Sequence, residues 1–224
     1  KRNRKEKKLF IVEGKKSIDE FLTSNYKLHE IYSTHPNEFN LNNIVNISSS
    51  ELSKLSSLKK PNKHIAVFHH KDQVLQKQNF YLVFDRINDP GNLGTIIRTC
   101  HWFGVDQIIC SVDSVDCYNS KVVQSSMGSL SKVNVVYTDL IKFIKTTNKK
   151  IIGTSLKSKS ISDYSFQNFD GIIVFGSESN GISREIKKEI NDYISIPKTA
   201  SNSTAESLNL SISVAIFLSK IKGI

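Results

Sequence analysis

Short apolar runs alternate with helical patterns along residues 1–70, and this arrangement predicts a small α/β unit. The predicted strands cover residues 9–12, 29–32, 44–47 and 65–68. Apolar residues at helical spacing predict one helix around residues 18–22, and Ser48 or Ser49 is a suitable N-cap for a second helix. A unit of this size is large enough to bury a small core of its own.

From residue 80 onward, strands and helices alternate regularly, whereas residues 71–79 are mostly polar and predict a linker. The predicted strands cover residues 80–84, 107–110, 133–137, 151–155, 171–175 and 193–196. The predicted helices cover residues 93–103, 121–130, 139–146, 183–190 and 207–218. Such alternation indicates a parallel sheet with right-handed crossovers, so residues 80–224 are predicted to form a second α/β domain.

Polar residues and glycines concentrate in three segments that each follow a predicted strand. These segments are residues 88–94, 175–183 and 196–218. The last segment begins as a long polar loop and continues into an amphipathic helix, for which Ser207 is the predicted N-cap. In open parallel sheets, ligands bind beyond the carboxyl ends of the strands, so we expect the three segments to form one site.

The charge balance suggests a partner. Lysine and arginine number 31 against 21 aspartate and glutamate residues, which gives a net charge of +10, and such an excess favours nucleic acid. The basic run at residues 1–8 is either a solvated terminus or an arm that lies along phosphates. The sequence contains no run of about 18 apolar residues and no signal-peptide pattern, so we expect a cytoplasmic protein without a membrane segment.

Several other kinds of site do not fit these residues. Cys100, Cys110 and Cys117 have neither the spacing of a zinc site nor the number expected of a disulfide framework, so we expect reduced thiols and no metal. Residues 91–94 are not followed by the third glycine of a dinucleotide-binding loop, and the sequence contains no Walker loop. Ser177 lacks the flanking glycines of a hydrolase nucleophile elbow.

The three polar segments together resemble the motifs of the SpoU, or TrmH-like, class of RNA ribose 2′-O-methyltransferases. The matching residues are Asn92, Arg98, Thr99, Phe103 and Gly104 in the first motif, Gly176, Ser177, Glu178 and Gly181 in the second, and Ile196, Pro197, Ser207, Leu208 and Asn209 in the third. The resemblance covers residues 80–218. Residues 10–14 show a weaker similarity to the small N-terminal substrate-binding domain of this family, which is of the ribosomal-protein L30e type.

This resemblance implies a fold, a cofactor and an assembly that the pattern alone does not. It implies a SPOUT-type parallel sheet with a deep trefoil knot, in which the C-terminal segment threads through a loop. It also implies S-adenosyl-L-methionine as the methyl donor and a homodimer whose interface completes the site. The expected substrate is RNA, with ribosomal RNA favoured over transfer RNA. A non-catalytic RNA-binding or ribosome assembly factor is the remaining alternative.

The resemblance also implies roles for individual residues. Arg98 is expected to bind the phosphate beside the target ribose and to stabilise the developing alkoxide. Whether it also removes the proton is left open, because a guanidinium stays protonated in proteins. Asn92 and Glu178 are expected to order Arg98 and the substrate backbone. Ser207 and Asn209 are expected to be polar site residues, although either could instead simply cap the helix.

The methyl donor is expected to lie between a glycine approached closely by backbone and two apolar walls. The expected cofactor-binding residues are Thr154, Ser155, Leu156, Gly176, Ile196 and Leu208. Between the matched ends of the third motif, residues 198–206 form a longer loop than is usual for the family and lack its usual glycine. We therefore expect this protein to differ most from its relatives in that loop.

Overall fold

The computed structural model describes residues 2–42, 44–199, 204 and 206–224. Its first unit contains the strands β1 (Leu9–Glu13), β2 (Leu28–Ser33), β3 (Ile44–Asn46) and β4 (His64–His69) and the helices α1 (Arg2–Lys7), α2 (Lys15–Leu22) and α3 (Ser49–Leu55). The strand order is β1-β4-β2-β3, with β4 antiparallel to both of its neighbours. Each predicted strand of this unit is present, and Ser48 caps α3 in a reciprocal arrangement with Glu51.

The second unit is built on a six-stranded sheet in which every strand pair is parallel. Its strands are β5 (Phe80–Phe84), β6 (Gln107–Ser111), β7 (Asn134–Thr138), β8 (Lys150–Ser160), β9 (Gly171–Phe175) and β10 (Asp192–Ser195), and its helices are α4 (Pro90–Trp102), α5 (Ser120–Ser126), α6 (Leu140–Lys145), α7 (Arg184–Lys187) and α8 (Leu210–Lys222). The order across the sheet is β10-β8-β9-β5-β6-β7. The predicted α/β fold with a parallel sheet is therefore confirmed.

Helices cover both faces of this sheet, and the central strand shows why its sequence is almost entirely apolar. Leu82 and Phe84 of β5 belong to the buried cluster beneath α4, α5 and α8, whereas Tyr81 and Val83 belong to the cluster beneath α6 and α7. Successive residues of a strand point to opposite faces, so a strand covered on both sides is apolar throughout. No helix in the described part of the chain is long and apolar enough to cross a membrane.

Two helices are shorter than their predictions. The helix predicted over residues 121–130 ends at Ser126, because Met127 and Gly128 both adopt positive φ values and break it. The helix predicted over residues 183–190 is reduced to α7. α7 ends at Lys187, shortly before Asn191. The backbone N–H of Asn191 donates to the carbonyl of Ile151 and its Oδ1 accepts from the N–H of Ile151, which draws the chain into β10.

The two units meet at an aromatic junction that consists of Phe10, Tyr26, His70 and Tyr118. Tyr118 belongs to the segment between β6 and α5, and its ring stacks on His70 with centroids 4.0 Å apart. The same ring lies 4.6 Å from the ring of Phe10. Its hydroxyl lies 3.3 Å from that of Tyr26. One buried apolar cluster consequently runs through both units.

The basic N-terminal run is also attached to the second unit. Lys1 lies outside the described residues, and the chain from Arg2 to Lys7 forms α1. Arg4 donates from Nε to a carboxylate oxygen of Asp116 at 2.9 Å, and its Nη2 lies 2.8 Å from the same oxygen. Arg4 is therefore engaged in a protein contact and is not available to lie along phosphates.

Candidate active site

The site begins at the carboxyl end of β5, where the chain turns directly into α4. Asp89 is the N-cap of this helix, and its side chain accepts a hydrogen bond from the backbone N–H of Asn92 at 2.6 Å. Pro90 occupies the first turn, where its missing N–H costs nothing. Gly94 lets the helix pack closely on α5, since a Cβ there would lie 2.5 Å from Cβ of Ser125. Asn92 is consequently held in the first turn, at the edge of the sheet.

Three polar side chains from the three predicted segments meet at this edge, and we call them the site trio. Asn92 donates from Nδ2 to Oε1 of Glu178 at 2.6 Å. Asn209 donates from Nδ2 to Oδ1 of Asn92 at 2.9 Å. The trio joins residues that lie 86 and 117 positions apart in the chain. The side-chain amide of Asn92 thus donates to Glu178 of the second segment and accepts from Asn209 of the third segment.

Asn209, and not Ser207, is the N-cap of α8. Its Oδ1 accepts hydrogen bonds from the backbone N–H of Ser211 at 2.9 Å and from the Ser211 hydroxyl at 2.6 Å. The prediction that Ser207 caps this helix is therefore wrong. The physical reason is that an asparagine amide can cap with its oxygen and still donate to Asn92 with its nitrogen, which a serine hydroxyl in the same place cannot do as well. Ser207 stays exposed, one turn before the helix.

Arg98 is not brought into contact with the trio. It lies six residues after Asn92 in α4, about 9 Å further along the helix axis and on a different side. Its side chain is exposed and makes no hydrogen bond or ion pair with any described residue. It shares the outer face of α4 with Trp102, which is 85% exposed.

A cleft of about 1220 Å³ opens beside the trio, between the carboxyl ends of the strands and the start of α8. All six residues predicted to bind the cofactor line it, namely Thr154, Ser155, Leu156, Gly176, Ile196 and Leu208. Glu178, Ser207 and Asn209 also line it, which connects the cleft to the trio. Glu206, at the end of the loop predicted to differ most from the family, lines the cleft. Of the same loop, Ala200, Ser201, Asn202, Ser203 and Ala205 lie outside the described residues.

The cleft exists because β8 is interrupted opposite β10. Tyr193 pairs with Gly153, but the next residue, Ile194, pairs with Lys159. Residues 154–158 therefore loop out of the ladder and form one wall of the cleft. The sequence pattern predicts a strand that ends at residue 155, because the polar stretch that follows carries no signal for a bulge.

Gly176 forms the opposite wall, and only glycine fits there. Ser177 and Gly181 form an isolated antiparallel bridge, which folds the segment after β9 back on itself. A Cβ on Gly176 would lie 2.1 Å from the carbonyl carbon of Gly181 and 2.2 Å from the backbone nitrogen of Ile182. The missing side chain lets the backbone of Gly176 pack directly against Gly181 and Ile182, and this folded segment lines the cleft.

The charges in the cleft are mixed, and two lysines there were missed by the sequence analysis. Lys157 and Lys187 line the cleft together with Glu178 and Glu206. Lys157 belongs to the bulge, and Lys187 is placed by the shortened helix α7, so neither position was visible from sequence spacing. A cleft with both signs of charge and an apolar lining suits a ligand that carries a zwitterionic group and an aromatic ring.

The three cysteines are not suited to nucleophilic or metal-binding chemistry. All three are buried, and burial raises the pKa of the thiols of Cys100, Cys110 and Cys117 above the usual range. Within the part of the chain that the structure describes, no group of three or more histidine, cysteine or acidic side chains could hold a metal ion.

A parallel α/β domain with a ligand cleft and a polar trio at the carboxyl edge of its sheet has the architecture of an enzyme that binds a small organic molecule. The chain belongs to the SpoU rRNA Methylase family, whose model matches residues 79–219. A second model, the MRM3-like substrate binding domain, matches residues 1–66.

Individual proteins resemble all or part of the chain. The 23S rRNA (guanosine(2553)-2′-O)-methyltransferase RlmP of Bacillus subtilis is 26% identical over all of this chain and 92% of its own length. The 23S rRNA (guanosine-2′-O-)-methyltransferase RlmB of Blochmanniella floridana is 37% identical, but the match covers 61% of this chain and only 54% of that protein.

Solved structures extend the similarity to the fold. A protein of the TrmH family from Porphyromonas gingivalis is 30% identical, with a TM-score of 0.85 over 99% of this chain and 92% of its own. An AdoMet-bound rRNA methyltransferase from Sinorhizobium meliloti has a TM-score of 0.87 over 99% of this chain and 90% of its own. It is 23% identical, so this second comparison bears on the fold alone.

Proposed function

We propose that this protein transfers a methyl group from S-adenosyl-L-methionine to a ribose 2′-hydroxyl of ribosomal RNA. The observation that carries the proposal is the meeting of Asn92, Glu178 and Asn209 at the mouth of the cleft, in a chain of the SpoU rRNA Methylase family. The relatives named as 23S rRNA 2′-O-methyltransferases favour ribosomal RNA over transfer RNA.

The cleft is large enough for the methyl donor and suits its chemistry. Gly176 offers backbone groups, and Leu156, Ile196 and Leu208 offer apolar surface for an adenine ring. Thr154 and Ser155 add polar groups on the bulge wall. When bound, S-adenosyl-L-methionine supplies a methyl group on a sulfonium, which is already an excellent leaving group.

The protein's own residues then have to place the ribose and accept the charge that develops on its oxygen. In our proposal the trio does the placing, since Asn92 fixes Glu178 and Asn209 relative to each other, and Ser207 adds an exposed hydroxyl. Arg98 binds the neighbouring RNA phosphate, a role that suits its exposed position and its separation from the trio better than proton removal does. Arg98 can stabilise the alkoxide only if bound RNA or a second protein copy brings its guanidinium close to the ribose oxygen.

A homodimer is the second part of the proposal. The outer face of α4 carries Arg98 and Trp102, which is 85% exposed, and the neighbouring helix α8 carries Ile212, which is 51% exposed. Large exposed apolar side chains beside a charged site residue are typical of an interaction surface. A dimer through this face would place Arg98 between the two copies.

The knot is the third part of the proposal. After β10, at one end of the sheet order, the chain returns so that Phe217 of α8 packs on Phe175 of β9, with ring centroids 5.3 Å apart. The start of α8 reaches the trio between the 154–158 bulge and the loop after β9. A C-terminal segment that returns between two such loops supports the SPOUT-type trefoil knot.

The N-terminal unit, residues 1–70, is proposed to be an L30e-type domain that binds the RNA substrate, with residues 71–79 as the linker. The match of residues 1–66 to a substrate binding domain supports this division. The cytoplasmic location expected from the sequence is part of the same proposal, and fractionation of cells that express a tagged chain tests it.

The test is methyl transfer from labelled S-adenosyl-L-methionine to in vitro transcribed 23S rRNA and, separately, to transfer RNA. We expect incorporation into 23S rRNA, with the label on a ribose 2′-oxygen after nucleoside analysis. An Arg98→Ala variant should lose most of this activity, and full activity of that variant would refute only the role of Arg98. Light scattering on the purified protein checks the dimer.

The competing function, a non-catalytic RNA-binding or assembly factor, makes the opposite prediction. Such a protein would retain 23S rRNA on a filter but would neither bind S-adenosyl-L-methionine in isothermal titration nor transfer a methyl group. The intact trio beside the cleft favours the enzyme, because a protein that only binds RNA has no need of it.

A further inference from the structure

Arg86 stands directly after β5 with a φ of +57°. This left-handed region is comfortable for glycine and strained for a residue with a long side chain. Strained backbone of this kind persists where surrounding structure enforces it, and it occurs most often at functional sites. Arg86 lies at the carboxyl edge of the sheet, six residues before Asn92 of the site trio.

Neighbouring segments hold the backbone of Arg86 in this conformation. Its N–H donates to the hydroxyl of Ser111, at the end of β6, at 2.8 Å. The carbonyl of Ile87 accepts a hydrogen bond from the N–H of Val115 at 2.8 Å. The turn after β5 is therefore fastened to the loop after β6, and this arrangement maintains the positive φ.

The side chain of Arg86 is oriented by a buried carboxylate. Its Nε lies 3.3 Å from Oδ1 of Asp85, which is only 3% exposed. The other oxygen of Asp85 accepts a hydrogen bond from the backbone N–H of Ser183 at 2.6 Å. This bond places the pair beside the 177–183 loop, the same loop that contributes Glu178 to the trio.

The guanidinium has hydrogen-bonding capacity left over. An arginine that serves a carboxylate usually does so with two parallel hydrogen bonds. Here Nε makes no hydrogen bond with the described residues, and neither Nη atom has a described partner. The side chain is about one third exposed, at 35%, so solvent or a ligand can reach it.

The ligand for this guanidinium is not the methyl donor. Glu178, Gly181 and Ile182 of the adjacent loop line the cofactor cleft, whereas Asp85 and Arg86 do not. The anion that binds Arg86 therefore lies outside the cleft. A fork of N–H groups is well suited to a phosphate, and the chain as a whole carries a net charge of +10.

We propose that Arg86 binds a backbone phosphate of the RNA substrate and so fixes the position of the RNA against the site trio. This inference rests on the proposed function, because it assigns one contact of the same RNA. The role is separate from that of Arg98, which lies on the outer face of α4 and on a different structural element. The other reading of Arg86 is purely structural, as the counter-ion of buried Asp85.

The test compares two variants. Arg86→Gly removes the charge and places at this position a residue that adopts the positive φ without strain. Arg86→Lys keeps both the charge and the strained φ. Lys222→Ala is the matched control, because it removes one positive charge at the opposite end of the sheet, where Lys222 lies over the ring of Phe80. Each protein is assayed for KM with transcribed 23S rRNA, for filter binding of the same RNA at several salt concentrations, and for isothermal titration with S-adenosyl-L-methionine.

We expect Arg86→Gly to raise the KM for RNA about tenfold and to reduce the slope of log affinity against log salt by about one. Its affinity for the methyl donor should not change. Arg86→Lys should retain the salt slope and lose part of the affinity, since lysine binds phosphate as a point charge. Lys222→Ala should behave like the wild type.

The inference is overturned if Arg86→Gly keeps the wild-type KM and salt slope. A lower thermal stability of that variant, restored by adding Asp85→Asn, would then identify Arg86 as a counter-ion only. If Arg86→Gly does not fold, Arg86→Gln, which keeps most of the side chain without its charge, takes its place in the same assays. Failure of the wild type to methylate any RNA would instead overturn the proposed function, and the filter-binding comparison would still decide the role of Arg86.

Discussion

The aromatic junction and the site trio both connect segments that are distant in the chain, but they do so with opposite chemistry. Tyr118 of the junction is 7% exposed and touches three rings of the first unit, those of Phe10, Tyr26 and His70. The three side chains of the trio are joined by hydrogen bonds at the surface. Burial of an aromatic side chain stabilises a protein by several kcal/mol, whereas an exposed hydrogen bond adds about 1 kcal/mol or less. The junction should therefore carry stability, and the trio should carry activity.

The strongest test of this division is Tyr118→Ala. Loss of a buried aromatic ring at the junction should lower the free energy of unfolding by about 3–5 kcal/mol. Urea unfolding followed by circular dichroism measures this loss. Tyr118→Phe is the control, since it keeps the ring and removes only the hydroxyl. That hydroxyl donates to the carbonyl of Lys71 at 3.1 Å and accepts from the N–H of Lys71 at 3.0 Å and from Nε2 of Gln73 at 3.1 Å. Because these partners are left unpaired, that variant should lose about 1–3 kcal/mol, less than Tyr118→Ala. Equal losses in the two variants would contradict the packing role of the ring.

Asn92→Ala should have the opposite profile. Because Asn92 holds Glu178 and Asn209 together, its removal should lower methyl transfer about 100-fold by misplacing the site. The free energy of unfolding should change by less than about 1 kcal/mol. Asn119→Ala is a matched control, because Asn119 is an N-cap at the same edge of the sheet, at the start of α5. It should cost about 1 kcal/mol of stability and leave the activity intact.

Asn209 is expected to contribute both to the stability of α8 and to activity, and two substitutions separate these contributions. Asn209→Ser keeps a hydroxyl that can cap α8 but cannot reproduce the hydrogen bond to Asn92. It should retain wild-type stability and lose about tenfold in activity, the equivalent of one hydrogen bond. Asn209→Ala should lose the same activity and about 1 kcal/mol of stability as well. Kinetics and urea unfolding of both proteins give the comparison, and full activity of the serine variant would remove Asn209 from the site.

The smallest expected effect is a pH dependence of the junction. Burial lowers the pKa of His70 below its usual value of 6.5; Arg4 and Lys8 act in the same direction and Asp116 acts against it. The unfolded chain therefore binds this proton more readily than the folded one. The stability contributed by neutral His70 is present above pH 6.5 and is lost as the pH falls.

His70→Phe tests this effect, because it keeps a ring that can stack on Tyr118 and removes the titration. The free energy of unfolding of this variant should fall less between pH 7 and pH 5 than that of the wild type. Urea unfolding at the two pH values measures the difference. The same decrease in both proteins would show that other groups cause the acid sensitivity.

Much of the fold could be predicted because the information is local. The strands β5, β6 and β9 are short apolar runs bounded by turn residues, and their alternation with helices leaves a parallel sheet as the natural solution. The predictions were wrong where a local pattern met a tertiary competitor. The helix start at residue 207 was displaced to Asn209 because that side chain also bonds to Asn92.

The sequence by itself determined the candidate site residues, since three polar segments at strand ends contain Asn92, Glu178 and Asn209. The tertiary structure alone decided which of them touch, how residues 154–158 leave the sheet to open the cleft, and that Arg86 is held with a positive φ. The physical reason is distance along the chain. Periodicity and capping act over a few residues, whereas the contacts that build the site span 86 and 117 residues and depend on how the sheet and helices pack.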